Sequence, residues 1–148
     1  MKHGIKLITI GDTEKLPHAT QKQLEKTIIK TKENRNLTLT LALSYSGKWD
    51  ILNAVKKIIV EKKNPDKISE DIFKQYLATK NVPEPELLIR TSGEFRISNF
   101  LLWQIAYTEL YFSKILWPDF SRKDFLEAII EYQNRERRFG KTKEQIEC

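Results

Sequence analysis

The strongest constraint on the fold is a repeated change of period along the chain. Residues 37–43, LTLTLAL, alternate leucine with small residues, the pattern of a half-buried strand. SYSGKWDILNAVKKIIVEKK follows at once, and there Ile51, Leu52, Val55, Ile58 and Ile59 recur at helical spacing until NPDK stops them. The same alternation appears elsewhere. GIKLITI (residues 4–10) closes on GD and precedes HATQKQLEKTIIKTKEN, where Leu24 and Ile28 share a face. Ser69 opens a further helix, with Glu70 and Asp71 in the first turn and Ile72, Phe73, Tyr76 and Leu77 as its apolar face. ELLIR (residues 86–90) reads as a third strand, ISNFLLWQIA as a short apolar helix, and ELYF as a fourth strand. After the turn WPDF, Ser121 and Asp124 have capping-box spacing ahead of Phe125, Leu126, Ile129 and Ile130. Strands alternating with helices predict an α/β fold, a mostly parallel sheet flanked by helices, in a single domain over residues 1–148.

In sheets of this kind ligands bind beyond the carboxyl ends of the strands, and Arg90 falls at such an end. Arg96 follows six residues later in RTSGEFRIS, so one loop brings both arginines to the same rim, and Gly93 permits a tight path. A helix starting near Ser98 would add unpaired N–H groups and a hydroxyl. Two guanidinium forks with those donors suit the oxygens of a diphosphate. The alternative is equally open: Arg90 and Arg96 as surface partners of Glu94 and Glu86. Glu109, set among aromatic and apolar residues in YTELYF, needs a cation, a metal or several donors. It reads either as a Mg²⁺ ligand facing a bound diphosphate or as half of a structural ion pair with an arginine.

Charge and composition narrow the function classes. The 148 residues carry a net charge of +6, which fits nucleic acid, an acidic membrane surface or a phosphorylated small molecule. Many lysines lie among glutamates on helix faces, and no RNA- or DNA-binding motif accompanies them, so nucleic acid is not expected as a partner. The single cysteine is Cys148, which excludes a disulfide framework and a multi-thiolate metal site. No apolar run approaches bilayer length and MKHGIKLITIGD lacks a signal-peptide pattern, so a cytoplasmic setting is expected. His3 and His18 stand alone. Asp12, Asp50 and Asp119 read as caps, and Trp49, Trp103 and Trp117 as packing anchors. There is no Walker loop, GxGxxG fingerprint or Ser/His/Asp arrangement.

The block LLIRTSGEFRISNFLLWQIAYTELYFSKILWPDF closely resembles the C-terminal signature of cis-prenyltransferases, the undecaprenyl diphosphate synthase family. ITIGD, LSYSGKWDI and NRERRFG match further family segments in the right order, so the resemblance covers almost the whole chain. It implies the C-terminal part of that fold, with a strand order other than the Rossmann one. It also implies a transferase that condenses isopentenyl diphosphate with an allylic (farnesyl) diphosphate into a cis-polyprenyl, undecaprenyl-type carrier lipid, with Mg²⁺ as cofactor. By the same resemblance Arg90, Arg96 and Ser98, with the Ile97 backbone beside them, hold the diphosphate of isopentenyl diphosphate. Glu109 helps bind Mg²⁺ across the interface of a homodimer, and Arg138 and Gly140, in an RxG motif, reach the diphosphate of the neighbouring subunit. A transient membrane contact follows from the lipid product.

The departures from the family pattern carry expectations too. Ser44, Ser46 and Lys48 replace the Asn, Gly and Arg of a segment like NYGGRWDI, and Phe95 stands where some members have a His. The family segment resembling HxMDGNGRWA, with its catalytic Asp and the helices of the hydrophobic tunnel, has no counterpart in this sequence. Turnover by this chain alone is therefore not expected, since orientation of the allylic partner supplies much of the rate. An uncovered apolar face and sheet edge are expected instead, with dimerisation through FLLWQIAYTELYF. Two identities compete: the C-terminal part of a chain-elongating transferase, or a non-catalytic partner subunit that supplies the clamp and RxG tail to another chain.

Overall fold

The computed structural model describes residues 3–136. The chain divides between Pro83 and Glu84 into two compact units. In the first, β1 (Ile5–Ile10) and β2 (Leu37–Ala42) pair in parallel, Ile5 against Leu37 through Ile10 against Ala42. Parallel pairing requires a crossover, and α1 (His18–Thr31) provides it and packs on β1. Its far end is stitched to that strand. Thr31 Oγ1 accepts from the Leu7 N–H at 3.1 Å and Asn34 Nδ2 donates to the Ile5 carbonyl at 2.7 Å, so side chains satisfy these two backbone groups of β1.

Gly11 ends β1 with φ +105°, and a Cβ there would stand 2.1 Å from the Leu43 carbonyl oxygen. Only glycine allows the two strand exits to lie this close. After β2, Ser46 caps α2 (Gly47–Val60), accepting from the Trp49 N–H at 3.3 Å. The buried face of α2 consists of Gly47, Asp50, Ala54 and Ile58, whereas Leu52, Val55 and Ile59 lie exposed. The helix expected to open at Ser69 is α3 (Glu70–Lys74), with Ser69 Oγ accepting from the Ile72 N–H. It runs for a single turn before the chain winds into tight turns. Leu77 reaches the core and Ile72 does not.

In the second unit β3 (Leu87–Arg90) and β4 (Glu109–Phe112) pair in parallel, with Leu87 against Glu109 and Arg90 against Phe112. The helix α4 (Arg122–Gln133) packs on β4. Asp124 closes the expected capping box, its carboxylate accepting from the Ser121 N–H at 2.7 Å and from the Ser121 hydroxyl at 2.5 Å. These two bonds, the hydroxyl first, hold the Asp124 carboxyl below its ordinary 3.8. Ala128 is the buried centre of α4, while Phe125, Leu126 and Ile130 are exposed.

The apolar helix expected over ISNFLLWQIA does not form. Ser98, Asn99 and Leu101 all take positive φ, at +47°, +62° and +47°, and the segment is a succession of turns. A run of left-handed residues cannot carry the i to i−4 ladder of a right-handed helix, whatever the apolar content.

Candidate functional site

The candidate site grows from the carboxyl end of β3. Arg90 is the last residue of that strand. Beyond it the chain reverses against the exit of β4, the Ser92 N–H donating to the Ile115 carbonyl and the Gly93 N–H to the Ser113 carbonyl, each at 2.8 Å. Ser92 (φ +75°) and Gly93 (φ +69°) make this turn. The loop then carries the chain to Ile97 and Ser98. Arg90 Nη1 donates to Ser98 Oγ at 2.8 Å, which ties the strand end to the far side of the loop. A cleft of about 380 Å³ opens here, lined by Arg90, Ile97 and Ser98 with Leu88, Ile89, Thr91, Ser92 and Phe100. Its size suits a small ligand, and the guanidinium faces it with a hydroxyl already in hydrogen-bond contact.

Of the four residues assigned to the clamp, the structure brings three to this cleft: Arg90, Ile97 and Ser98. Arg96 sits apart. Its guanidinium pairs with Glu94, its side chain is 63% exposed, and it does not line the cleft. For Arg96 the ion-pair alternative describes the arrangement seen. The helix N-terminus expected at Ser98 is absent because the helix is absent. The anion donors at this rim are a guanidinium and a hydroxyl, with no helix dipole behind them. Phe95 packs on Phe112, ring centroids 5.3 Å apart, so an aromatic side chain borders the loop.

Glu109 lies at the other end of the strand pair. It opens β4 in register with Leu87, three residues before the position opposite Arg90, a separation of about 10 Å at 3.3 Å per residue. Its carboxylate is engaged by Arg135, whose Nη1 donates to Glu109 Oε2 at 2.9 Å and to the Leu110 carbonyl at 2.9 Å. The other guanidinium nitrogen of Arg135 pairs with Glu131. The Glu131 and Glu109 hydrogen bonds push the Arg135 pKa further up from its ordinary value. Among the described residues no group of three or more His, Cys, Asp or Glu side chains could hold a metal ion. A single carboxylate already neutralised by a guanidinium does not fit a hard dication that takes several oxygen ligands. The described residues therefore do not by themselves form a Mg²⁺ site. Arg138 and Gly140 lie outside the described residues.

Two functional or anchoring residues were missed in the sequence. Arg135 stands in NRERRFG, three positions before the RxG arginine, and its spacing from Glu131 (i, i+4) was the available signal. Asp50, read there as a cap, is 1% exposed. It accepts from the Ala78 N–H at 2.7 Å and from the Tyr45 hydroxyl at 3.0 Å, pinning the start of α2 to the turn after α3.

The family model described as "Putative undecaprenyl diphosphate synthase" matches residues 1–140. The chain is 53% identical over 150 residues to an isoprenyl transferase of Chlorobaculum tepidum, covering 99% of this chain and 57% of that protein. It is 47% identical to a (2E,6E)-farnesyl-diphosphate-specific ditrans,polycis-undecaprenyl-diphosphate synthase of Coxiella burnetii, covering 99% and 63%. Among solved structures, lavandulyl diphosphate synthase from Lavandula x intermedia, in complex with dimethylallyl diphosphate, superposes with a TM-score of 0.90 at 37% identity, over 95% of this chain and 62% of that one. The chain spans about three fifths of the length of the curated relatives it matches.

Proposed function

Because the chain belongs to the undecaprenyl diphosphate synthase family of cis-prenyltransferases, we propose that it supplies the isopentenyl diphosphate half of a chain-elongating prenyl transfer. The observation that carries this reading is the cleft at the end of β3, where the Arg90 guanidinium is held by Ser98 beside Ile97. A guanidinium offers paired N–H donors in the geometry of phosphate oxygens and stays charged at every accessible pH. The loop that carries it is fixed to the exit of β4 by backbone hydrogen bonds, so the donors are positioned before ligand arrives. Arg96 joins the clamp by exchanging Glu94 for a ligand oxygen, a local rotation of an exposed side chain.

The reaction proposed for the whole protein condenses isopentenyl diphosphate with an allylic, farnesyl-type diphosphate to make a cis-polyprenyl carrier lipid. Mg²⁺ would stabilise departing diphosphate charge when bound. In this chain Glu109 would be the residue to offer it an oxygen, after release from Arg135, and the described residues supply no further ligand. The described residues bind and orient the isopentenyl diphosphate, and Phe112 with Phe95 keeps the neighbouring surface apolar. A homodimer through residues 100–112 and a passing membrane contact with the lipid product belong to the same proposal.

One observation favours a second reading, a partner subunit completed by another chain. Glu109 and Arg90 lie at opposite ends of one strand pair, about 10 Å apart at 3.3 Å per residue, and Glu109 is held by Arg135 instead of turning to the clamp. Isopentenyl diphosphate titrated calorimetrically into wild type and Arg90→Ala, with and without Mg²⁺, tests the clamp. Loss of the guanidinium hydrogen bonds, worth about 1.5–3 kcal/mol, is expected to weaken binding by about 10- to 100-fold. Equal binding by a folded Arg90→Ala chain would remove the clamp assignment. Turnover of farnesyl diphosphate by this chain alone, or only after a second polypeptide is added, separates the two readings.

A further inference from the structure

A cleft in the first unit shares no residue with the chemistry above. It has a volume of about 660 Å³ and opens between the end of α2, a 3-10 turn at Pro65–Lys67, α3 and the turns that follow. Lys63, Lys67 and Lys80 line it, together with the amides of Asn64, Gln75 and Asn81. Its floor is apolar: Ile68 and Ile72 are each more than a third exposed, and the Tyr76 ring lies beside them. The only carboxylate in the lining is Glu61, and it is already occupied. It accepts from the Tyr76 hydroxyl at 2.5 Å and sits 3.7 Å from Lys63 Nζ. That hydrogen bond, followed by desolvation, raises the Tyr76 pKa above its ordinary 10.0.

The charge balance of this lining is positive, three lysines against one carboxylate that the Tyr76 hydroxyl and Lys63 already engage. Lys67 and Lys80 make no ion pair among the described residues, so two ammonium groups border an apolar floor with nothing to neutralise them. Ammonium groups act as mobile point charges toward phosphate oxygens. The isoleucines and the tyrosine offer apolar surface beside these charges, and the cleft's volume lies within the usual range for small-molecule sites. We infer that this cleft is a second ligand site, taking a phosphate group carried on an apolar chain. Lys63, Lys67 and Lys80 bind the phosphate, and Ile68, Ile72 and Tyr76 bind the hydrocarbon.

The site is independent of the clamp at Arg90, so it is tested in the full chain carrying Arg90→Ala, with amide shifts followed by NMR. Decyl phosphate below its micelle concentration serves as the soluble probe, inorganic phosphate as the headgroup alone, and phosphatidylglycerol vesicles as the membrane source. Decyl phosphate is expected to shift the amides of Ile72, Tyr76 and Asn81, and to bind at least 10-fold more tightly than inorganic phosphate. Lys67→Gln with Lys80→Gln should weaken it about 10-fold and flatten its dependence on salt. Ile72→Asn should erase the advantage of decyl phosphate over inorganic phosphate while leaving the latter unchanged. Response to vesicles with none to decyl phosphate would assign the same chemistry to a lipid headgroup. No response to either probe, or binding unaltered by the paired lysine changes, overturns the inference. All three changed side chains are exposed, so folding is not in question.

Discussion

Asp50 shows how one side chain can carry more of the architecture than its position suggests. A carboxylate 1% exposed survives burial only if donors surround it, and here the Ala78 N–H and the Tyr45 hydroxyl do so. Asp50→Ala leaves both donors stranded and is expected to destabilise the chain by about 3 kcal/mol, two charge-assisted bonds at about 1.5–3 kcal/mol each less partial rehydration. Urea denaturation reads this, and Tyr45→Phe, which removes one donor cleanly, should shift the midpoint by a third or less of that amount. Tyr76 makes a prediction in pH. Its neutral hydroxyl is held by Glu61, so its pKa rises on folding above 10.0. A group of this kind contributes stability that is fully present below its unfolded pKa and lost as pH climbs through the folded value. Ultraviolet titration should therefore find Tyr76 ionising above its ordinary value. Glu61→Gln should bring it back toward that value, and an unchanged titration curve in that variant would show that the hydrogen bond does not persist in solution.

At the scale of elements, what could be read in the sequence followed from what local chemistry alone can decide. β2 announced itself by strict alternation, α2 by its period and by Ser46, and α4 by Ser121 and Asp124; each of these signals is local in sequence. Residues 97–106 failed because apolar content was taken for helix. Their conformation is decided by left-handed backbone at Ser98, Asn99 and Leu101, which Asn favours but the propensities of Ser98 and Leu101 do not foretell. Which face of a helix is buried was equally hidden. Period identifies Phe125, Leu126 and Ile130 as apolar, but Ala128 is the residue at the packed centre of α4. The site divided in the same way: a strand end located Arg90, but pairing register, a long-range property, set Glu109 at the opposite end. Two substitutions test the local devices. Gly11→Ala collides with the Leu43 carbonyl oxygen at a left-handed φ, and is expected to destabilise the first unit by about 3 kcal/mol or to abolish folding, read by circular dichroism. Asp124→Ala removes the carboxylate that holds Ser121 and is expected to lower stability slightly at neutral pH, read by urea denaturation. Since the Asp124 pKa is lowered on folding, that contribution is present above its ordinary 3.8 and fades as pH falls through the lower folded value. Wild type and variant should therefore converge in stability in strong acid.

For the whole molecule the question is what covers its apolar surface. Each parallel sheet among the described residues has only two strands, and pairs of that size are marginal unless something packs on them or extends them. Leu37 and Leu39, two residues apart on β2 and so on one face, are exposed. In the second unit Tyr107 is 70% exposed and Phe100 is partly exposed, within the segment proposed to dimerise. No helix among the described residues is long and apolar enough to cross a membrane, so these patches do not form a span. Apolar surface left open in this way favours association, because each contact releases water from area that the chain cannot bury alone. Light scattering at micromolar concentration is expected to give the mass of a dimer. If residues 100–112 form the contact, Tyr107→Asp places a charge in it and should return a monomer with unchanged circular dichroism. Leu37→Lys with Leu39→Lys should leave that dimer intact, while lowering any larger association through the β2 face. A monomer for wild type would mean that residues 100–112 do not bring two copies together on their own. A Tyr107→Asp chain that remains dimeric while the paired leucine changes dissolve it would move the interface to β2.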